Sequence, residues 1–184
     1  MYDPLLRQHA LSQEEPTCYG NHSDQWSDET KLTVTTADPG LQVELHDGFV
    51  VDTDRSRLEL ATVHHWLSTD AFWTLGRSFE AVSQAAQASI NFGVYNDQGT
   101  QVGYARVFTD TVTFGWLCDV YIARHVRGRG LGTALSEVIV EVIRPLGLNR
   151  VMLSTVDAHD LYAKTGFTPF PDPQKLMDLG PNEE

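Results

Sequence analysis

Polar and apolar positions change rhythm several times along the chain. Residues 1 to about 40 hold no sustained period, and stretches such as QEEPTCYGNHSDQWSDET are rich in Ser, Thr, Asp, Glu and Gly, which predicts a loosely ordered arm. From Leu41 the pattern sharpens. LQVEL, HDG and FVVDTD read as two short strands around an Asp-Gly turn, a strong hairpin signal. Asp54 stands where it would cap a helix over RSRLELATVHHWLST, and a second helix is expected from Phe79 to Ala88. INFGVYN, QVGYARVFT and TVTFGWLCDVYI follow as β-branched and aromatic runs joined by short polar turns, which favours antiparallel pairing.

After Ile122 the period becomes helical. Leu131, Ala134, Leu135, Val138, Ile139, Val142 and Ile143 fall on one face until Pro145 and Gly147 stop the helix. RVMLST is then a strand, Asp157 caps a short helix over AHDLYAKT ended by Gly166, and FTPF is a final strand. Residues 117–155 thus form a strand–turn–helix–strand unit, which implies a parallel pair with a right-handed crossover. The expected fold class is α/β: a mixed sheet with antiparallel N-terminal strands, one parallel pair, and helices covering it. The expected organisation is an acidic arm over 1–40, a folded domain over 41–170 and a surface tail over 171–184.

Composition changes this picture mainly through charge. Thirteen Lys+Arg against 25 Asp+Glu give a net charge of −12, and nine of the acids lie in residues 1–47 against only Arg7 and Lys31. Such a field repels phosphate polyanions, so no nucleic acid partner is expected. Cys18 and Cys118 are too few for a disulfide framework or a four-thiolate site, and the pairs His64-His65 and Cys18 with His22 lack ligand partners at metal spacing. No metal is expected. The N-terminal MYDPLLRQHA lacks the marks of a signal peptide, and no apolar run reaches the ~18 residues of a membrane span, so the expectation is a cytoplasmic protein with no membrane partner.

The candidate chemistry concentrates between Arg124 and Thr133, in RHVRGRGLGT. It joins a strand to an amphipathic helix, whose first N–H groups have no intrahelical partner and attract anions. Gly128, Gly130 and Gly132 remove side chains that would keep a phosphate from the backbone, while Arg124, Arg127 and Arg129 add local positive charge. A P-loop would need GxxxxGK followed by Ser or Thr, and no such string exists; a dinucleotide fingerprint would need GxGxxG in an early turn, whereas these glycines run GxGxG late in the chain. One RGRG cluster without interleaved aromatics is thin support for RNA binding.

Arg127-x-x-Gly130-x-Gly132 resembles the [Q/R]-x-x-G-x-[G/A] pyrophosphate motif of the GNAT superfamily of acyl-CoA-dependent N-acyltransferases, and Leu161-Tyr162-Ala163-Lys164-Thr165-Gly166-Phe167 resembles its LYxxxGF element. Two motifs in register are a specific signal. The resemblance covers about residues 41–170 and implies that two strands, here those ending at Ile122 and Thr155, splay to admit the pantetheine arm of acetyl-CoA as co-substrate. It further implies that Val120, Tyr121 and Ile122 hold pantetheine through their backbone. Arg127, Gly128, Arg129, Gly130, Leu131, Gly132 and Thr133 would hold the diphosphate. Tyr162 would protonate the leaving thiolate, and the Val120 N–H would receive the oxyanion. For the base, Asp119 is the candidate beside the pantetheine strand, since the family's earlier Glu is replaced here by Thr113-Phe114-Gly115-Trp116. Cys118 has no pairing His nearby, so direct transfer is expected rather than an acyl-cysteine.

Trp66, Phe72, Trp73, Tyr104, Phe114 and Trp116 are candidate pocket walls, and Asp70, Asp110 or Asp119 candidate attractors of a cationic amine. The expected activity is acetyl transfer to a primary amine of a small, basic acceptor. The rival is a non-catalytic acyl-CoA-binding sensor on the same fold. A homodimer is compatible with either reading.

Overall fold

Six strands form one sheet in the order β1-β2-β3-β4-β5-β6, which is also their order in the chain. The computed structural model describes residues 40–180, so all but the last residue of the arm expected over 1–40, with Cys18 and His22, and the last four residues of the tail lie outside the described residues. β1 (Gln42–Glu44) and β2 (Val50–Asp52) are the expected hairpin. Its turn places Asp47 at φ 58° and Gly48 at φ 74°, the paired left-handed residues that suit the twist of a tight hairpin. β3 (Ile90–Tyr95), β4 (Gln101–Thr109) and β5 (Phe114–Ile122) continue the antiparallel meander, and β6 (Arg150–Met152) joins β5 in parallel.

The helices follow the sequence pattern with two changes at their starts. α1 covers Leu60–Thr69, but Asp54 caps only a separate 3-10 turn at Arg55–Arg57, accepting from the Ser56 N–H at 2.8 Å. α2 (Phe79–Gln87) is capped by Ser78, whose Oγ accepts from Ala81 N–H. α3 (Leu131–Ile143) lays Leu135, Val138, Ile139 and Val142 into the core, and α4 (His159–Ala163) is short. Asp157 does not cap α4; the cap residue is Ala158, whose N–H donates to Thr155 Oγ1 at 3.0 Å. FTPF is not a strand. Phe167 N–H turns back to Tyr162 C=O at 3.1 Å, and Pro169 has no N–H to give a ladder.

Leu135 is wholly buried among α3, β5 and their neighbours. Leu135→Ala should lower the unfolding free energy by about 2–5 kcal/mol, measured by denaturant titration, because the truncation removes buried apolar atoms and leaves a cavity in their place.

Two irregularities in β5 position everything that follows. Its ladder with β6 is confined to Phe114↔Arg150, Gly115↔Val151 and Trp116↔Met152, while β5 itself runs six residues further. The two strands therefore part after Trp116. Opposite β4, the register moves from Tyr104↔Tyr121 to Arg106↔Cys118, so Asp119 and Val120 together face Ala105. This is a bulge, with Asp119 at φ 54°. A left-handed Asp on a strand costs about 1–3 kcal/mol, a strain that the surroundings must hold in place.

Candidate active site

Where β5 and β6 part, a cavity of about 520 Å³ opens. One wall is β5 itself, through Trp116, Leu117, Cys118, Asp119 and Val120. The other is the segment Ser154–Ala158, which leaves β6, together with Tyr162 of α4. Phe72, Trp73 and Thr74 from the turn after α1, Arg77 ahead of α2, and Arg106 and Phe108 of β4 complete it.

Tyr162 is buried, with its ring edge-on to Phe167 at 5.9 Å. The hairpin-like return of Thr165, Gly166 and Phe167 holds this pair: Thr165 N–H and Phe167 N–H both donate to Tyr162 C=O, and Gly166 takes φ 95°. Burial, and behind it the negative charge of Asp157, push the phenol above its ordinary range, so it carries its proton at neutral pH. That is the state an acid needs.

The edge of β5 is equally well defined. Ala123 N–H donates to Val102 C=O at 2.8 Å, across to β4, and strand alternation turns the backbone groups of Ile122 the other way. Arg127 Nε takes the Ile122 carbonyl at 2.8 Å. Tyr121 pairs with Tyr104 of β4, and Val120 is the member of the Val120–Tyr121–Ile122 trio that lines the cavity.

Beyond Ile122 the chain enters the glycine turn. Gly128 and Gly130 both take φ 78°, and Gly130 is the N-cap of α3 with no side chain to satisfy the first amides of the helix. A Cβ on Gly128 would meet nothing within 4 Å, so its role is conformational and its surroundings are open. Gly132 differs: a Cβ there would sit 2.9 Å from Leu161 Cδ1, so this glycine lets α3 approach α4. The arginines are partnered. Arg124 makes a forked pair with Asp70, with Nε at 2.8 and 2.9 Å; Arg127 lies 3.6 Å from the same carboxylate and over the Tyr121 ring; Arg129 bonds Asp47 at 2.9 Å and covers Phe49. Asp47 and Asp70 stand where an arriving diphosphate would compete for the same guanidinium groups.

The Arg124 guanidinium, with the Tyr121 hydroxyl, holds Asp70 well below the usual carboxylate range. A depressed folded value means the stabilisation is present above the unfolded value of about 3.9 and is lost as pH falls through the lower one. The difference in melting temperature between wild type and Asp70→Asn should therefore stay level from neutral pH to about 5 and shrink as pH drops below about 4.

Asp119 is placed differently from a base. Arg77 Nη1 and Arg106 Nε both donate to its Oδ2 at 2.6 Å, and the residue is almost fully buried. One carboxylate oxygen is thus taken up by two charge-assisted hydrogen bonds. The geometry gives Asp119 the part of an anchor for the β5 bulge and its two arginines. Cys118 is no better as a nucleophile: burial pushes its thiol up to about 11. Its alkylation by iodoacetamide at pH 8 should be at least about a hundredfold slower than that of free cysteine, followed by peptide mass spectrometry.

Of the candidate walls, Phe72, Trp73 and Trp116 reach the cavity. Trp66 instead stacks on Tyr121 at 5.2 Å, and Tyr104 is buried with its hydroxyl on Asn91. Asp110 caps the β4–β5 turn by accepting from the amides of Val112, Thr113 and Phe114. Arg77, Arg106 and Asp157 are cavity residues that no sequence motif announces. Among the described residues no group of three His, Cys, Asp or Glu could hold a metal ion, and no helix is long and apolar enough to cross a membrane.

Comparison with known proteins places this fold among others. A Mycobacterium tuberculosis protein solved in complex with CoA shares the fold, at 21% identity and a TM-score of 0.51 over 62% of this chain and 70% of that one. A Xanthomonas campestris crystal structure assigned to the GNAT family is 39% identical, with a TM-score of 0.69 over 75% of this chain and 95% of that one. A curated Gibberella zeae relative assigned as an acetyltransferase is 33% identical over 135 residues, which cover 63% of this chain and 76% of that protein. The model of the acetyltransferase (GNAT) family matches residues 60–167, from α1 through the glycine turn to the Phe167 that backs Tyr162, and the chain belongs to that family.

Proposed function

We propose that this protein transfers an acetyl group from acetyl-CoA to a primary amine of a small acceptor, by direct attack within a ternary complex. The observations that carry the reading are the open amides at the start of α3, a β5 strand that runs past its ladder with β6 so that Val120 lines the cavity, and a buried Tyr162 that keeps its proton on the cavity's other wall.

Each feature has a part. The amides of residues 128–133 at the α3 N-terminus receive the diphosphate, with Arg127 and Arg129 released from Asp70 and Asp47 to flank it. Val120 takes the pantetheine amide as a neighbouring strand would, and its N–H receives the thioester oxygen as charge develops there. The amine attacks the thioester carbonyl, a C–N bond forms, the C–S bond breaks, and the departing thiolate takes the Tyr162 proton. The proton lost by the amine leaves through water at the cavity mouth, where Asp157 is the exposed carboxylate. Asp119 stays ion-paired throughout.

Two assays test this. Acetyl-CoA at about 100 times its dissociation constant should add ~2.7 kcal/mol to the unfolding free energy. Amine-dependent release of CoA should then appear across an amine panel. Binding with no turnover, unchanged in Tyr162→Phe, is the result a sensor would give.

A further inference from the structure

Two charged groups in the cavity have no part in the reaction chemistry, Arg77 and Arg106, and a third, Asp157, lines it from the segment leaving β6. The two arginines reach it from different elements, the turn ahead of α2 and the middle of β4, and meet at Asp119 Oδ2. Two positive charges on one carboxylate leave one in excess. Neither guanidinium is used up: Arg106 gives Nε to Asp119 and Nη1 to Ser89, Arg77 gives Nη1 to Asp119, and their other nitrogens have no partner among the described residues. Their side chains keep 15% and 26% of their surface open, in a protein whose net charge is −12. A half-buried excess of positive charge is costly without an anion to meet it.

The opposite wall has the opposite sign. Asp157 lies on the segment leaving β6, exposed at the mouth and close enough to Tyr162 for its charge to be felt there. The cavity also has half-exposed aromatic rings in its lining, Phe72 at 58%, Trp73 at 47% and Phe108 at 52% exposure. A cavity positive on the β4–β5 side, negative beside the acid, and aromatic at its rim fits a molecule with a carboxylate, an amine and an apolar body.

Resting on the acetyl-transfer reading above, we infer that the acceptor is a carboxylate-bearing amine of the amino-acid class with a large apolar side chain, its carboxylate held by Arg77 and Arg106 and its amine directed past Asp157 to the thioester. This reverses the expectation of a basic acceptor drawn from the overall acidity. Surface charge governs approach; the cavity wall governs what stays.

The test compares matched pairs. N-acetyl-L-phenylalanine and N-acetyl-L-phenylalaninamide are titrated calorimetrically into the protein saturated with CoA, which removes amine titration from the comparison. Acetylation rates are measured with L-phenylalanine, L-phenylalaninamide, L-leucine, L-leucinamide and spermidine. The acids should exceed their amides by about tenfold or more, the worth of a charge-assisted hydrogen bond. Arg77→Gln should bring acid and amide close to parity; should that variant fail to fold, or lose acetyl-CoA affinity through the Asp119 anchor, the wild-type pairs decide alone. Amides equal to or better than acids, or spermidine as the best acceptor, overturns the inference. So does the absence of binding and turnover for every acid while acetyl-CoA binds, a result that leaves the acetyl-transfer reading standing. Failure of acetyl-CoA itself to bind overturns both.

Discussion

Gly130→Val should lower acetyl-CoA affinity by at least about a hundredfold in calorimetry, while the folded domain persists. Two effects add. Gly130 sits at φ 78° as the N-cap of α3, a conformation that a β-branched residue adopts only under strain of about 1–3 kcal/mol. Any relief of that strain turns the amides of 131 and 132 away from the direction in which they now point. A diphosphate that loses two charge-assisted hydrogen bonds, at about 1.5–3 kcal/mol each, loses two or more powers of ten in affinity. The space around Gly130 is otherwise permissive, since a Cβ would meet only His46 Nε2 at 3.7 Å. Packing is thus not the cause, and Gly130→Ala should show a smaller loss of the same kind. Gly132→Val would weaken the protein by a different route, through Leu161, and is the wrong variant for this question.

Tyr162→Phe should reduce kcat by about a hundredfold or more, with the dissociation constant of acetyl-CoA little changed. Only the hydroxyl is removed; the ring remains edge-on to Phe167 and the backbone return at Gly166 is untouched. Because burial raises the phenol's pKa, wild-type activity should not fall through loss of this proton anywhere between pH 6 and about 10. A decline below pH 8 then belongs to protonation of the amine. A reduction smaller than about threefold would mean that water protonates the thiolate and that Tyr162 only packs.

Much of this site is written locally. The glycine turn, the helix after it and the Leu161–Phe167 element are continuous strings whose chemistry needs no distant partner, so their positions follow from the sequence. The parting of β5 from β6 was expected only through the family resemblance, because Leu153, Ser154 and Thr155 look as strand-like as Arg150–Met152 and nothing local says where the ladder ends. The partners of the glycine-turn arginines are long-range. Asp70 and Asp47 come from the end of α1 and the first hairpin, at sequence separations of 54 and 82. Asp119 is the instructive case: its neighbours in sequence are apolar, and its two arginines lie 42 and 13 residues away. A carboxylate that along the chain is only a candidate base beside the pantetheine strand is held by two guanidinium groups once β4 and the turn ahead of α2 close around it. The bulge beneath it has no sequence signal either, since left-handed strand positions usually favour Gly.

The account rests on where coenzyme A lies, and a crystal structure with acetyl-CoA measures that directly. The diphosphate oxygens should lie about 2.7–3.2 Å from amide nitrogens between Gly128 and Thr133. Pantetheine should follow the Val120 edge, and the thioester sulfur should face the Tyr162 hydroxyl. A diphosphate bound elsewhere, or β5 and β6 paired through Thr155 with the coenzyme outside the gap, would contradict it.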